Sequence, residues 1–239
     1  MPSSDDVARK KWGTDWRMPT EDEFTELTTS ANWTWYAANN TEFGGVAGYK
    51  VTSLISGYTD NYIFLPITGY YSTSGQSAAT TQGNYWTSTR HELNAFNAYD
   101  ISFTKSNKII TNSGRSQGMA VRPVTEVTPT NHDYVDLGLS VKWATCNVGA
   151  ENCYDTGNYY SWGEYEPKDT YSWATYKFGF YDSLTKYNAT DSKITLDLEC
   201  DEESNKYALT AETYTKEEVD EKLRNVSGAT ILTQEEYDS

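Results

Sequence analysis

The chain has 239 residues, enough for one large domain or two small ones, and it carries 20 Tyr and 8 Trp. Its net charge of −15 is uneven: residues 1–125 sum to −1 and residues 126–239 to −14. No basic face is available for phosphate, so a nucleic-acid partner is excluded. No run approaches the roughly 18 consecutive apolar residues of a membrane span, so membrane insertion is not expected.

In chain order, the opening Met1-Pro2-Ser3-Ser4-Asp5-Asp6 is acidic and polar with no apolar core behind it, so no signal peptide is read in this chain. The first clear signature is a helix over residues 20–28. Thr20 caps it, Glu23 three residues on completes a capping box, Glu21 and Asp22 suit its positive end, and Phe24 and Leu27 form its apolar stripe. Strand-like runs follow at residues 49–55, 62–67, 83–89, 95–103 and 119–124, as an antiparallel set. Between Phe103 and Met119 the chain is polar, with Asn107, Asn112, Gly114 and Gly118 marking turns.

Residues 126–131 are a short connector. Residues 134–143 read as a strand pair or one bent strand kinked at Gly138. Residues 154–176 form a long loop rich in rings: Tyr159, Tyr160, Trp162, Tyr165, Tyr171, Trp173 and Tyr176. So many rings cannot all be exposed, so they read as a packed loop core in preference to a sugar-stacking platform. Past Glu199 the chain is an acidic tail, with a polar helix over 215–224 capped by Thr215 and striped by Val219 and Leu223, through which the chain could self-associate.

Cys146, Cys153 and Cys200 have no C-x-x-C spacing, and His91 and His132 do not complete a set with them, so no metal site and no cofactor are expected. A Cys146–Cys153 disulfide and buried free thiols both remain open.

Five segments together carry a resemblance: WRMPT at 16–20, GNYWTST at 83–89, VRPV at 121–124, YVDLGLSVKWATCNVG at 134–149 and YYSWGE at 159–164. They resemble the FISUMP (major paralogous) domain family of gut bacteria and their phages. The family is related to the C-type-lectin-like fold shared with formylglycine-generating enzymes. The resemblance implies an α+β, C-type-lectin-like domain over residues 5–199, built of short antiparallel strands and long structured loops with one or two short helices. Residues 200–239 are left as the acidic tail.

The order is inverted relative to that family. The portion matching its C-terminal part, residues 5–125, precedes the portion matching its N-terminal part, residues 132–199. Two arrangements fit: one circularly permuted domain, or the junction of two tandem domains. The connector suffices to join neighbouring ends, which favours one domain. In that case the strand near 135–143 pairs with the one near 119–124, around one core with Trp16 and Trp86.

The resemblance brings no inherited chemistry. Residues 1–125 lack the cysteine pair of the formylglycine-generating enzymes. Glu166-Pro167-Lys168 is not the calcium-binding motif of sugar-binding lectins, and no Trp-Asn-Asp run accompanies it. No Ser/His/Asp set, phosphate loop or EF-hand stands out, and His91 in a polar turn reads as exposed before it reads as a general base. The expected function is therefore non-catalytic recognition, not enzymatic.

The ligand is a cell-surface glycan or protein, bound on loops that a sheet holds rigid. Residues 85–115 have the Tyr, Asn, Ser, Arg and His composition of a binding loop. Arg90, His91, Asn94, Asn97, Asn112 and Arg115 are the candidate ligand-binding residues, on one connected exposed face, while Trp86, Phe96 and Phe103 are assigned to the core. The setting this implies is extracellular, at a cell surface or on a phage virion, where some relatives are targets of diversity-generating retroelements. The alternatives are a structural spacer of a fibre or secreted repeat protein, and an uncharacterised hydrolase.

Overall fold

The capping box at Thr20 closes in both directions in the computed structural model, which describes Met1, residues 3–187 and three strands beyond them. Thr20 Oγ1 accepts from the Glu23 amide at 3.2 Å, and Glu23 Oε2 accepts from the Thr20 amide at 2.8 Å. Arg17 holds the same carboxylate with two nitrogens, at 2.5 and 2.9 Å, which fixes the cap against the preceding chain. Helix α2 (Glu21–Ser30) starts here and buries Phe24 and Leu27, while the shorter α1 (Val7–Trp12) precedes it, capped by Asp6.

The strands are short and antiparallel. β1 (Ala31–Tyr36), β2 (Gly48–Ser53) and β3 (Tyr62–Pro66) form one three-stranded sheet in that order. A small hairpin, β4 (Tyr70–Ser72) and β5 (Gly75–Ser77), follows. β6 (Gly83–Arg90), β7 (Asn97–Phe103) and β8 (Lys108–Gly114) make a second three-stranded sheet with β7 in the middle.

A third sheet has the order β10-β11-β9, from β9 (Val124–Thr125), β10 (Tyr134–Val135) and β11 (Lys142–Ala144). The last hairpin of this part is β12 (Gly179–Phe180) with β13 (Ser183–Leu184).

The segment around residues 134–143 is a strand pair. Val135 registers with Trp143, and Gly138 at φ +70° turns the chain between them. β11 also pairs with β9, Trp143 against Val124 and Lys142 against Thr125, so the segments on either side of the connector share a sheet.

Three expectations change. The run at 119–124 is mostly irregular, because Pro123 lacks an amide donor; it touches its neighbours through single bridges, Ala120 to Tyr85 and Met119 to Tyr160. β1, whose Trp33 and Trp35 pack against the core, and the largely exposed β8 are strands that were not expected from the sequence. In β8 every residue is partly or fully exposed, so no buried alternation betrays it.

Two apolar clusters form the core of the unit that runs to residue 190. One gathers Phe24, Leu27, Val51, Leu65, Tyr85, Ile101, Phe103, Val124 and Trp143. The other gathers Trp12, Trp16, Met18, Trp86, Ala98, Val121, Ala144, Tyr160 and Trp162. The expected single core containing Trp16, Trp86 and Trp143 is thus split, with Trp143 on one side and Trp16 and Trp86 on the other. Adjacent Trp143 and Ala144 stitch the clusters together, because neighbours on a strand face opposite ways. The loop rings are largely core: Tyr160, Trp162, Tyr171 and Tyr176 are all buried.

From residue 191 onward the chain belongs to a second unit. Its described part is an antiparallel meander of β14 (Glu199–Asp201), β15 (Lys206–Leu209) and β16 (Glu212–Thr215), with Tyr207 opposite Tyr214. The helix expected at 215–224 lies outside the described residues, apart from Thr215, which ends β16.

Two outcomes test this architecture. Thr20→Ala removes the cap and should cost about 1 kcal/mol in urea unfolding. Proteolytic nicking within residues 126–131, most of them exposed, should leave two fragments that stay associated on a sizing column. Separation without denaturant would show that the two portions do not hold each other.

Candidate functional site

β6 and β7 lose register between Trp86 and Arg90, and the chain then turns through residues 91–96. Local hydrogen bonds fix this turn. His91 Nδ1 accepts from the Asn94 amide at 3.0 Å, Asn94 Oδ1 accepts from the Phe96 amide at 3.0 Å, and the Asn97 amide donates to the Asn94 carbonyl at 3.1 Å. These are the side chain to backbone bonds that Asn favours in turns. His91 also lies 5.0 Å from the Tyr99 ring, and the Asn97 side chain donates to Asn112 Oδ1 on β8 at 2.6 Å.

The structure thus brings His91, Asn94, Asn97 and Asn112 together around one turn and the adjoining strand. Arg90, in register with Ala98, lies on the opposite face of β7 from Asn97 and turns toward Tyr187, so it does not share their face. Asn112 is exposed and the other four are half-buried.

Arg115 does not belong with them. β8 ends at Gly114, and Arg115 passes under the ring-rich loop, where it is fully buried. Its guanidinium faces the rings of Trp162, Tyr176 and Tyr187 at 5.6, 5.7 and 5.6 Å. It reaches the Lys186 carbonyl only at 3.5 Å, and its Nε has no hydrogen-bond partner among the described residues. Burial depresses its pKa, the two tyrosines work against that fall, and Arg90 adds to it. Arg115 is therefore a cation packed in an aromatic cage, stabilised by ring quadrupoles in place of water.

Phe96 moves the other way. It was assigned to the core but is 40% exposed, and its ring meets Tyr181 edge-on at 6.2 Å, with Phe180 4.7 Å beyond. Leu93 in the same turn is 92% exposed. Four exposed apolar side chains therefore adjoin the four polar ones. Sequence reasoning missed Leu93, Phe96, Phe180 and Tyr181; the available signal was an apolar pair inside a turn of polar residues.

The β12–β13 hairpin owes its position to a clamp on the residues that follow it. Lys186 Nζ pairs with Asp5 at 3.0 Å, the Tyr187 hydroxyl donates to the same carboxylate, and Arg90 reaches the Tyr187 carbonyl at 3.5 Å. Both Asp5 and the Lys186 side chain are largely shielded from water, where such a pair is least screened.

A separate cavity of about 410 Å³ opens beside the connector, lined among others by Trp12, His132, Asp133, Tyr134, Cys146 and Glu151. His132 stacks on Trp12 at 3.9 Å, and its burial there lowers its pKa, with Asp133 opposing. His132 and Cys146 both line this cavity. Among the described residues, however, no three His, Cys, Asp or Glu side chains converge as a metal set. Cys146 and Cys153 are free thiols, each half-buried, and burial pushes the Cys153 thiol up. Asp133 and Glu151 are both exposed.

Comparison of the chain with family models, with curated proteins and with solved structures found no match.

Separate roles for the two groups make separate expectations. Arg115→Ala should lower stability by about 3 kcal/mol, through lost packing and an empty cage. Asn112→Ala should change it by less than about 0.5 kcal/mol, as a surface change does. Urea titrations of both variants check this.

Proposed function

We propose that this chain is a non-catalytic recognition module that binds a protein partner through the β6–β7 turn and the neighbouring β12–β13 hairpin. The observation that carries this reading is the exposed apolar group of Leu93, Phe96, Phe180 and Tyr181 beside His91, Asn94, Asn97 and Asn112. Rigid rings ringed by adaptable amides make the composition of a recognition surface. Of the two ligand classes expected, glycan or protein, the protein is favoured by Leu93. A bare aliphatic side chain gains affinity by burial against another apolar surface and offers a sugar neither a ring face nor a hydrogen bond.

The scaffold belongs to the same proposal. Small antiparallel sheets, long structured loops and two short helices are compatible with a C-type-lectin-like domain whose two portions occur in inverted order. An extracellular setting, at a cell surface or on a virion, follows from that reading. A purely structural spacer is less favoured, because it has no use for an aliphatic side chain held out in water on an ordered turn.

The test is a binding comparison on cell-surface protein extracts and on immobilised glycans. We expect wild type to retain a protein partner that Leu93→Ser and Phe96→Ser together lose at least tenfold, with the unfolding midpoint unchanged. Retention that is indifferent to both substitutions would defeat the assignment, and glycan binding that depends on Phe180 and Tyr181 would transfer it to the other ligand class.

A further inference from the structure

The middle strand of the β6–β7–β8 sheet carries a carboxyl group in its interior. Asp100 has no solvent exposure, and it registers with Trp86 on one side and Thr111 on the other. Neither of its carboxylate oxygens has a hydrogen-bond partner among the described residues. Asn84 registers with Ser102, two residues along, so Asn84 and Asp100 are diagonal neighbours on one face of the sheet. Asn84 is 3% exposed, and its Oδ1 is also without a partner. Three acceptor oxygens therefore share one dry place, where the nearby donors, the uncharged Asn84 amide and Ser113 hydroxyl, act on the carboxylate without closing a hydrogen bond of good geometry. Buried acceptors are almost always paired, so the arrangement calls for a donor that the ionised side chains do not supply.

One proton supplies it. A protonated carboxyl is itself a donor, and its O–H turns toward a neighbouring acceptor, the Asn84 amide oxygen or the Ser113 hydroxyl oxygen. We propose that Asp100 is a proton-operated element of the fold: the sheet packs around the neutral acid, and ionisation places an uncompensated charge in its interior and loosens β6, β7 and β8.

The surroundings agree. The groups acting on Asp100 are Asn84 from β6 and Ser113 from β8, and neither is charged. Glu21 of α2 and Glu92 of the turn act on Tyr99, whose side chain points to the other face of β7. The Arg115 charge just past β8 is held among Trp162, Tyr176 and Tyr187 and does not offset Asp100. With burial dominant and only partial help from Ser113 and Asn84, the carboxyl is raised to about 6.

The sign follows from that direction. A carboxyl raised in the folded state contributes stability that is complete below its unfolded value of about 3.9 and lost as pH rises through about 6. Above that, the folded protein carries the ionised group at a constant cost. Mild acidity should therefore tighten this sheet, which also bears Asn97 and Asn112. The proposal does not depend on what that surface binds.

Two measurements decide it. The unfolding equilibrium constant of the wild type should rise about 40-fold more than that of Asp100→Asn between about pH 4 and pH 6.5. Asn is isosteric and cannot ionise, so the difference isolates this group. Independently of any variant, the Asp100 carboxyl carbon in the intact wild-type protein should titrate by NMR with a midpoint near 6. Amide exchange at Ile101 and Thr111 should quicken across the same midpoint beyond its intrinsic pH dependence. A midpoint at or below about 4, or identical pH dependence in Asp100→Asn, would overturn the proposal.

Discussion

The two portions of the main unit's sequence are tied together at Arg122. Its side chain is fully buried and donates four hydrogen bonds: to Asn147 Oδ1 at 2.8 Å, to the carbonyls of Ala144 and Thr145 at 3.2 and 3.0 Å, and to the Phe64 carbonyl at 3.0 Å. Those acceptors come from β3, β11 and the loop after β11, on both sides of the connector. All are neutral, and no carboxylate pairs with the guanidinium among the described residues. Burial lowers its pKa, opposed by the Tyr85 phenol and the thiols of Cys146 and Cys153. A desolvated cation held only by dipoles tolerates little displacement of any of them, because each lost bond leaves part of a charge in an apolar interior. This constraint fixes where β9 lies against β11, and hence how the two portions of the sequence come together.

The two buried arginines show how one residue type is accommodated in two ways. Arg122 is satisfied by carbonyls, whereas Arg115 is enclosed by rings, and the two lie in differently composed surroundings. The abundance of Tyr and Trp makes the second solution available. A chain poor in Leu, Ile and Val must build its interior from large side chains with polar ends, and their hydroxyls and indole nitrogens then need partners. Trp86 Nε1 donates to the Tyr160 carbonyl, Trp162 Nε1 to the Thr87 carbonyl and the Tyr176 hydroxyl to the Trp162 carbonyl, each at 2.8 Å. Such bonds tie loops without regular hydrogen-bond ladders into a defined shape.

What the sequence disclosed depended on the range of the interactions. The α2 cap was legible because Thr20, Glu23, Phe24 and Leu27 lie within eight residues and act on one another. The strands β2, β3, β6 and β7 were legible because their apolar residues face the interior. β1 and β8 were not, since they pair at sheet edges and their side chains, Trp33, Trp35 and Ile110 among them, are only partly covered, by neighbours distant in sequence. Arg115 was misassigned for the same reason: Ser, Asn and Gly beside it speak of a turn, but the rings that cover it come from residues 162–187. Phe96 erred in the opposite direction, because hydrophobicity alone does not say whether a side chain faces inward.

The Asp5 clamp has a mechanical consequence. The unit's first described turn and its last described residues, Lys186 and Tyr187, meet at one carboxylate. The segments around Asp5 and around Lys186 and Tyr187 therefore lie side by side. Tension applied through the two segments would act across this junction and peel it open one contact at a time, with little shear on the strands behind it. The ion pair and the tyrosine bond would yield first, and the sheets around Arg122 would feel the load only after the segments had parted.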